Sequence, residues 1–145
     1  MEHFFLSSVP IDASASGSIL VDDGAGAYVT FEGWVRDKNE DRPVEFLEYE
    51  AYWPLAQKEG ERIVQEAFER FGIRGARCVH RVGKLQLGDM AVWVGVTAEH
   101  RDAAFNACRY IIDQTKARVP IWKREHFADG TKSWTNAKNN LVSPP

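Results

Sequence analysis

Lys116 and Lys123 stand on either side of Pro120, and they are the pair of residues in this sequence best suited to chemistry. The pattern predicts that Lys116 lies near the end of a helix and Lys123 on the strand that follows, so a tight reversal would bring both amines to one pocket wall. Two ammonium groups held close repel each other, which lowers the pKa of at least one of them from its usual value of about 10.4. Such a lysine can act as an acid, a base or a nucleophile near neutral pH. Two exposed lysines on a solvated edge are the alternative that the spacing leaves open.

His100 and Arg101 follow a predicted strand and open a predicted helix. Free backbone N–H groups and the positive end of the helix dipole favour an anion there, and the forked guanidinium adds donors for a phosphate. Arg36 follows Trp34 at the end of another strand and is a second candidate for the same ligand. Each of the three polar positions is equally consistent with a solvent-facing side chain. Trp34 could pack on a flat heterocycle, although packing in a core or an interface is the more ordinary role.

Standard enzyme motifs are missing from the sequence. It contains no Walker-type phosphate loop, no G-x-G-x-x-G, no H-E-x-x-H and no G-x-S-x-G. Its four histidines have no carboxylate or thiol at the spacing of zinc ligands, so we predict neither a metal site nor a bound cofactor. Cys108 falls on the apolar face of a predicted helix, which favours a buried, inert thiol over a nucleophile.

The charge of the chain argues against a protein that coats nucleic acid. A formal net charge of -3 and a pI near 5.8 are unlike the strongly basic domains of that class. Residues 100–126 nevertheless carry six basic side chains against three acidic ones, a local charge of +3. A positive segment in a negative chain indicates a small anionic ligand, with a solvated basic face as the alternative. The apolar stretches are too short to cross a bilayer and the first residues do not resemble a secretory signal, so we predict a cytoplasmic protein.

Hydrophobic periodicity predicts the elements that must position these residues. Alternation of β-branched and aromatic residues with polar ones predicts strands over 28–35, 44–52, 76–87, 90–98 and 121–127. Helical spacing predicts a short helix over 10–21 and long helices over 54–71 and 101–118, the last with Phe105 and Cys108 on its apolar face. Residues 37–43 are predicted to form a mobile loop, and Gly88 to form the turn of a hairpin.

The length of the chain sets its domain organisation. With 145 residues and 44% hydrophobic composition, it can bury one sizeable core but is short for two domains. We predict a single catalytic domain over 1–135. The polar residues 136–145 are predicted to form a C-terminal tail that is ordered only by a partner.

The candidate residues belong to a longer, ordered set of short motifs. The set comprises Gly33-Trp-Val-Arg36, Tyr49-Glu-Ala-Tyr52, His80-Arg-Val-Gly83, Gly88-Asp89, His100-Arg-Asp-Ala-Ala-Phe105, Ala107-Cys-Arg109, Ile112-Asp113, Lys116 and Pro120-Ile-Trp-Lys-Arg-Glu125. In order and spacing this set resembles the large, catalytic subunits of molybdopterin synthase, over about residues 24–134. Each motif is weak alone, but the ordered combination is highly specific. The sequence departs from the family pattern at 37–43 and after Trp134.

The resemblance implies a fold, partners and a reaction. The fold is α+β, of the α/β-hammerhead type, with an antiparallel sheet and two long helices packed on it. The assembly is a homodimer with a ubiquitin-like small sulfur-carrier subunit at each end, which makes a heterotetramer. The C-terminal Gly-Gly thiocarboxylate of the carrier donates sulfur, twice, to cyclic pyranopterin monophosphate, a small anionic pterin, and the product is the dithiolene of molybdopterin.

The resemblance also implies site residues. It places the essential lysine on Lys116 and the second pocket lysine on Lys123. The substrate-binding positions that it implies are Trp34, Val35, Arg36, His100, Arg101, Lys116, Lys123, Arg124 and Glu125, with His100 and Arg101 offered across the dimer. We expect Lys116 to do acid–base work on the substrate while Lys123 and Arg124 hold the phosphate or the thiocarboxylate, although the two lysines could exchange roles.

Two other functions fit parts of the pattern. A non-catalytic binding module would hold a phosphorylated metabolite or a ubiquitin-like tail, and its binding would survive the loss of both lysine amines. A nucleic-acid-binding domain would use Arg101, Arg109, Arg118 and Arg124 with nearby aromatic residues, and its affinity would fall steeply with salt. The net acidity of the chain disfavours the nucleic-acid-binding domain.

Overall fold

The computed structural model describes residues 2–136, and residues 137–145 of the predicted tail lie outside this range. Within the range the chain forms three helices and nine strands. In chain order they are β1 Phe4–Ser7, α1 Ala13–Ser18, β2 Ala27–Trp34, β3 Lys38–Asn39, β4 Arg42–Ala51, α2 Trp53–Phe71, β5 Gly75–Arg81, β6 Gly83–Gln86, β7 Met90–Ala98, α3 Arg101–Arg118, β8 Ile121–Phe127 and β9 Lys132–Asn136. None of the helices in 2–136 is both long enough and apolar enough to span a membrane.

The first sheet carries the main core. Its strand order is β1-β5-β7-β2, with β1 parallel to β5 and the other pairs antiparallel. Helices α2 and α3 pack together over this sheet, and their shared core includes Ile63, Val64, Val94, Val96 and Ile111, all fully buried. Removing this apolar surface from water is the main force that holds the two helices on the sheet.

The second sheet is built around β4. Its strand order is β3-β4-β8-β9, and β6 also pairs with β4. A small cluster of Val35, Leu47, Leu85 and Ala91 joins the ends of β2 and β7 in the first sheet to β4 and β6 in the second. The junction between the two sheets is therefore packed, and it fixes the strand ends that surround the pocket described below.

The predicted α+β class and both long helices are confirmed, with α3 running from Arg101 to Arg118 as expected. The prediction of one strand over 76–87 is wrong. The strand breaks at Val82, β6 turns away from β7 to pair with β4, and Gly83 takes a positive φ of 93°. Only glycine adopts such a φ without steric cost, and this lets one continuous segment serve two sheets. The predicted turn is present at Gly88, whose φ is 84°, but β7 pairs antiparallel with β5 rather than with β6, the strand that precedes the turn.

Three local predictions were only partly right. The helix predicted over 10–21 is limited to α1, although Asp12 caps it by accepting a hydrogen bond from the Ala15 N–H at 3.0 Å. Residues 37–43 form a tight hairpin, in which β3 pairs with the start of β4, rather than an open loop. Phe105 was expected on the buried face of α3 but is 58% exposed, whereas Cys108 is buried as predicted.

Candidate active site

A pocket of about 160 Å³ lies where α3 ends and β8 begins, at the junction of the two sheets. Of the predicted site residues, Trp34, Arg36, Lys116 and Lys123 line it. Trp34 is 65% exposed at this site. The pocket therefore combines three cationic side chains with an exposed aromatic surface, a combination suited to a planar, anionic ligand.

The chain reversal at Pro120 places the two lysines. Val119 takes an extended conformation, with φ −75° and ψ 128°, because the following proline disfavours a helical one. The Val119 N–H still donates to the Thr115 carbonyl at 3.1 Å, so the last turn of α3 stays closed. Lys116 lies in that last turn and Lys123 is the third residue of β8. Both side chains line the same pocket, as the two-lysine hypothesis requires.

Lys123 is the more deeply buried of the two amines. Its side chain is 15% exposed, whereas Lys116 is an exposed residue. Burial lowers the pKa of Lys123, and the positive charges of Arg36 and Lys116 lower it further, while the Glu125 carboxylate opposes them. The repulsion predicted from the sequence thus acts in the expected direction, but burial has the larger effect.

Glu125 is the acidic neighbour of Lys123 on the same side of β8. Its residue is 4% exposed, and Oε1 lies 3.9 Å from the Lys123 Nζ. The same oxygen accepts a hydrogen bond from the Asn39 side-chain amide at 2.8 Å. The Glu125 carboxylate therefore favours the ammonium form of the buried Lys123. Asn39, on the β3–β4 hairpin, holds the Glu125 carboxylate in place, and sequence reasoning missed this residue.

Val35 and Arg124 are placed differently from the other predicted residues. The Val35 side chain is buried in the cluster between the two sheets. Its backbone N–H donates to the Asp89 carbonyl and its carbonyl accepts from the Gly88 N–H, and these two bonds hold the chain in place between Trp34 and Arg36. Arg124 alternates with Lys123 along β8, and its guanidinium donates to Glu48 Oε1 at 2.7 Å and lies 5.0 Å from the Trp134 ring centre.

His100 and Arg101 lie at the opposite end of α3 from Lys116. His100 is the N-cap residue and makes no side-chain capping bond, and both residues are exposed. Lys116 is sixteen positions after His100, which corresponds to about 24 Å along the helix at a rise of about 1.5 Å per residue. Within one chain, the two residues at the helix start therefore do not reach the pocket.

Among the lining residues that sequence reasoning did not assign to the pocket, Tyr49 and His80 carry titratable rings. The rings pack edge to face, with their centres 4.9 Å apart. Burial lowers the pKa of His80 to about 4, an effect that the bond to the Arg81 carbonyl opposes and the nearby charge of Lys116 reinforces. Burial also raises the pKa of Tyr49 to about 12, with a contribution from Glu125. The alternation of side chains along a strand could have predicted that both residues face inward, but it could not have predicted that they line the pocket.

A larger groove of about 550 Å³ lies beside the pocket, between α3 and β2. It extends from Phe105 to Lys116 along the helix, and Phe31 lines its β2 side. Phe105 and Phe31 are 58% and 37% exposed. Lys116 lines both cavities, so the groove and the pocket adjoin at this lysine.

Comparison with known protein families and proteins shows a clear similarity. The family model described as "MoaE protein" matches residues 6–118. A protein of Synechococcus elongatus named molybdopterin synthase catalytic subunit is 44% identical over 130 residues, which cover 89% of this chain and 79% of the relative. A protein of Pyrococcus abyssi with the same name is 47% identical over 113 residues, which cover 78% of this chain and 76% of the relative.

Solved structures show the same similarity. The crystal structure of molybdopterin synthase from Staphylococcus aureus superimposes with a TM-score of 0.84 at 35% identity and covers 93% of this chain and 96% of its own. A complex of subunits 1 and 2 of molybdopterin-converting factor from Helicobacter pylori contains a chain with a TM-score of 0.75 at 19% identity. The two chains overlap over 94% and 92% of their lengths, which shows a shared fold.

Proposed function

This chain belongs to the MoaE family, the catalytic subunits of molybdopterin synthase, and from that premise we propose that it transfers sulfur from a thiocarboxylated small subunit to cyclic pyranopterin monophosphate. In one transfer the thiocarboxylate sulfur bonds to a substrate carbon and displaces a phosphate oxygen, which opens the cyclic phosphate; in the other it displaces a hydroxyl group, which leaves as water. In each case water then cleaves the acyl–sulfur bond, which leaves the sulfur on the substrate and a carboxylate on the carrier. A second carrier repeats the transfer, which gives the dithiolene of molybdopterin. The observation that carries the proposal is the convergence of Lys116 and Lys123 with Arg36 in one pocket.

The positions of the two lysines support distinct roles. Burial disfavours the ammonium form of Lys123, so this amine gives up a proton more readily than an exposed lysine does. We therefore assign proton transfer to Lys123 and the binding of the phosphate or thiocarboxylate anion to the exposed Lys116 and to Arg36. This exchanges the roles that were expected first from the sequence. Arg124 is left out of the pocket chemistry because Glu48 holds it on the other side of β8.

A small ubiquitin-like partner completes the proposed enzyme. The Helicobacter pylori relative forms a complex of two different subunits, and we propose an equivalent complex for this chain. A C-terminal Gly-Gly tail suits a pocket of this size because it has no side chains to accommodate and its backbone can approach the lysines closely. Its thiocarboxylate would carry the negative charge that the three cations favour.

A second copy of this chain is proposed to complete the site. The exposed aromatic residues Phe31 and Phe105 line the groove along α3, and such a groove can receive a second α3. If two copies pack α3 in antiparallel fashion about a twofold axis, His100 and Arg101 of one copy approach Lys116 of the other. This arrangement places the helix-start cations across the dimer and makes the assembly a heterotetramer with two small subunits.

The direct test measures product formation. The purified chain is incubated with cyclic pyranopterin monophosphate and a thiocarboxylated carrier, and the dithiolene product is assayed. We expect Lys123→Ala to lower turnover by about 100-fold or more, since a positioned acid–base group contributes about 10² to 10⁴. We expect a loss of about 100-fold in Lys116→Ala, since it removes a donor that stabilises negative charge on the reacting groups. Lys58→Ala is the matched control because Lys58 is an exposed lysine on α2, outside the pocket, and it should retain full turnover.

Two results would count against this function, and a third would count against the role of the lysines in it. Wild-type protein that binds the substrate but never forms product would indicate the non-catalytic binding module. Tight binding to single-stranded nucleic acid that falls steeply with salt would indicate the nucleic-acid-binding domain. Near-normal turnover in Lys116→Ala and Lys123→Ala would remove the lysines from the mechanism.

A further inference from the structure

His80 offers the pocket a group of a different kind from the three cations. It lies on β5 and is only 7% exposed. Its Nδ1 lies 2.7 Å from the backbone carbonyl oxygen of Arg81. A carbonyl oxygen can only accept, so Nδ1 carries the ring proton and donates it to this bond. The second ring nitrogen, Nε2, therefore presents a lone pair.

The lone pair on Nε2 has no hydrogen-bond partner within residues 2–136. The ring is held by the bond to Arg81 and by its edge-to-face contact with Tyr49, and it lines the pocket. The Arg36 guanidinium and the ammonium forms of Lys116 and Lys123 contribute only donors to that pocket, and a neutral lysine amine can both donate and accept. The hydroxyl groups of Tyr49 and Thr115 can both donate and accept, so among the described lining side chains only the His80 nitrogen is restricted to accepting.

We infer that Nε2 of His80 is a ligand-binding acceptor that receives a hydrogen bond from an N–H or O–H group of the bound ligand. The inference rests on the proposed function for the identity of that ligand. The amino and ring N–H groups of a pterin are donors of this kind, and so are the peptide N–H groups of a carrier tail. His80 would thus bind a hydrogen-bond donor of the ligand, while the cationic side chains of the pocket bind its negatively charged groups.

The surroundings of His80 preserve this acceptor at physiological pH. Burial and the nearby charge of Lys116 hold the pKa at about 4, against the opposing effect of the Arg81 carbonyl. The imidazole is therefore neutral near pH 7. A protonated ring would add a fourth cation and lose the lone pair, and the ligand would then lose its hydrogen-bond partner.

Two substitutions separate this binding role from a purely structural one. In His80→Asn, the side-chain amide nitrogen takes the place of Nδ1 and can keep the bond to Arg81, but nothing replaces Nε2. In His80→Gln, the amide can place an oxygen near the Nε2 position, at the cost of the bond to Arg81. If His80 has only a structural role, His80→Asn should keep wild-type ligand affinity and His80→Gln should lose it. If Nε2 binds the ligand, His80→Asn should lose affinity and His80→Gln should keep most of it.

The measurements are KM and kcat for the pterin substrate and for the thiocarboxylated carrier, with calorimetric binding of cyclic pyranopterin monophosphate. We expect His80→Asn to raise KM for one of the two about 10-fold with kcat within about 3-fold of wild type, and His80→Gln to recover most of the loss. The substrate whose KM rises identifies the source of the donor. His3→Asn is the control, since His3 is a half-buried histidine bonded to Glu61 in a different groove.

Wild-type KM values and wild-type pterin affinity in folded His80→Asn would overturn the inference and leave the proposed function intact. A wild-type chain that forms no product would instead overturn the proposed function. The calorimetric comparison of wild type with His80→Asn would still test the acceptor in that case, because it does not depend on turnover.

Discussion

At the scale of single residues, the proposed site depends on how burial and neighbouring charges set the pKa of the Lys123 amine. Lys123 is removed from water on a strand, next to two cations and one carboxylate. Removal from water disfavours the charged ammonium form, and the Glu125 carboxylate limits that effect. The balance leaves a lysine that is paired with a carboxylate and still has a lowered pKa, and a lowered pKa favours the proton-transfer role proposed for it.

This balance predicts a pH dependence. The lowered pKa of Lys123 means that the neutral amine appears at a lower pH than in a free lysine, whose pKa is about 10.4. If the neutral amine is the base, kcat rises with pH and levels off above the pKa of Lys123. Lys123→Arg should lose this rise and most of the activity, because arginine stays protonated. The check is a kcat–pH profile of both proteins, and an unchanged profile in Lys123→Arg would assign the titration to another group.

At the scale of elements, α3 needs a fixed C-terminal end because Lys116 lies in its last turn. Arg118, the last residue of α3, provides that fixation. Its guanidinium donates to Glu66 Oε1 and to Glu59 Oε1, each at 2.6 Å, and both carboxylates belong to α2. Tyr110 also donates to Glu66, at 2.5 Å. These bonds anchor the end of α3 to the neighbouring helix, two residues away from the lysine.

Removing the anchor should destabilise the protein. We expect Arg118→Ala to lower the free energy of unfolding by about 2 kcal/mol, because it deletes charge-assisted hydrogen bonds to two half-buried carboxylates. Arg62→Ala is the matched control. Arg62 also pairs with Glu59, at 3.5 Å, but its side chain is 57% exposed, so the expected loss is below about 0.5 kcal/mol. Urea unfolding of the three proteins at pH 7 measures both values.

The same network gives a pH dependence of stability with a defined sign. Hydrogen bonds from Arg118 and Tyr110 lower the pKa of Glu66 to about 2 in the folded protein, whereas a glutamate in an unfolded chain titrates near about 4.3. The stabilisation is therefore complete above about pH 4.3 and is lost as the pH falls toward 2. The stability difference between wild type and Arg118→Ala should shrink over that range. A difference that stays constant between pH 5 and 2.5 would contradict this account.

The elements also show what sequence could predict. The limits of α3 and α2 follow from apolar periodicity with Pro120 and Gly72 as end signals, and these signals are local. The division of 76–87 into β5 and β6 depends on a partner strand more than 30 residues earlier in the chain, β4, and no local pattern indicates that pairing. The prediction that Phe105 is buried was wrong because this residue lies at the edge of the apolar face of α3. A residue at that edge is buried only if a neighbouring element covers it, and within one chain β2 leaves Phe105 58% exposed.

The site shows the same division between local and distant information. The reversal at Pro120 and the resulting approach of Lys116 and Lys123 are local in sequence, and they could be predicted. His80, Tyr49 and Asn39 come to the site from β5, β4 and β3, so their placement follows from sheet pairing. The separation of His100 from Lys116, by contrast, follows from the sequence, since it is set by the length of a helix whose limits were predicted correctly.

At the scale of the whole molecule, the proposed site is incomplete in one chain. His100 and Arg101 lie about 24 Å from Lys116 along α3, while the groove beside α3 presents Phe31 and Phe105 to solvent. Antiparallel packing of two α3 helices would cover these aromatic residues and bring the helix-start cations to the lysine of the other copy. One arrangement thus accounts for both the exposed groove and the separated cations.

A mixing experiment tests this composite site. Lys116→Ala and the double variant His100→Ala, Arg101→Ala should each form inactive homodimers. In a mixed dimer, one of the two sites combines the wild-type Lys116 of one copy with the wild-type His100 and Arg101 of the other, and only the second site carries all the substitutions. Random mixing in equal amounts makes about half of the dimers mixed, so activity should recover to about one quarter of the wild-type value. If each chain used its own His100 and Arg101, no site in the mixture would be complete and no activity would return, so recovery distinguishes a shared site from two independent ones.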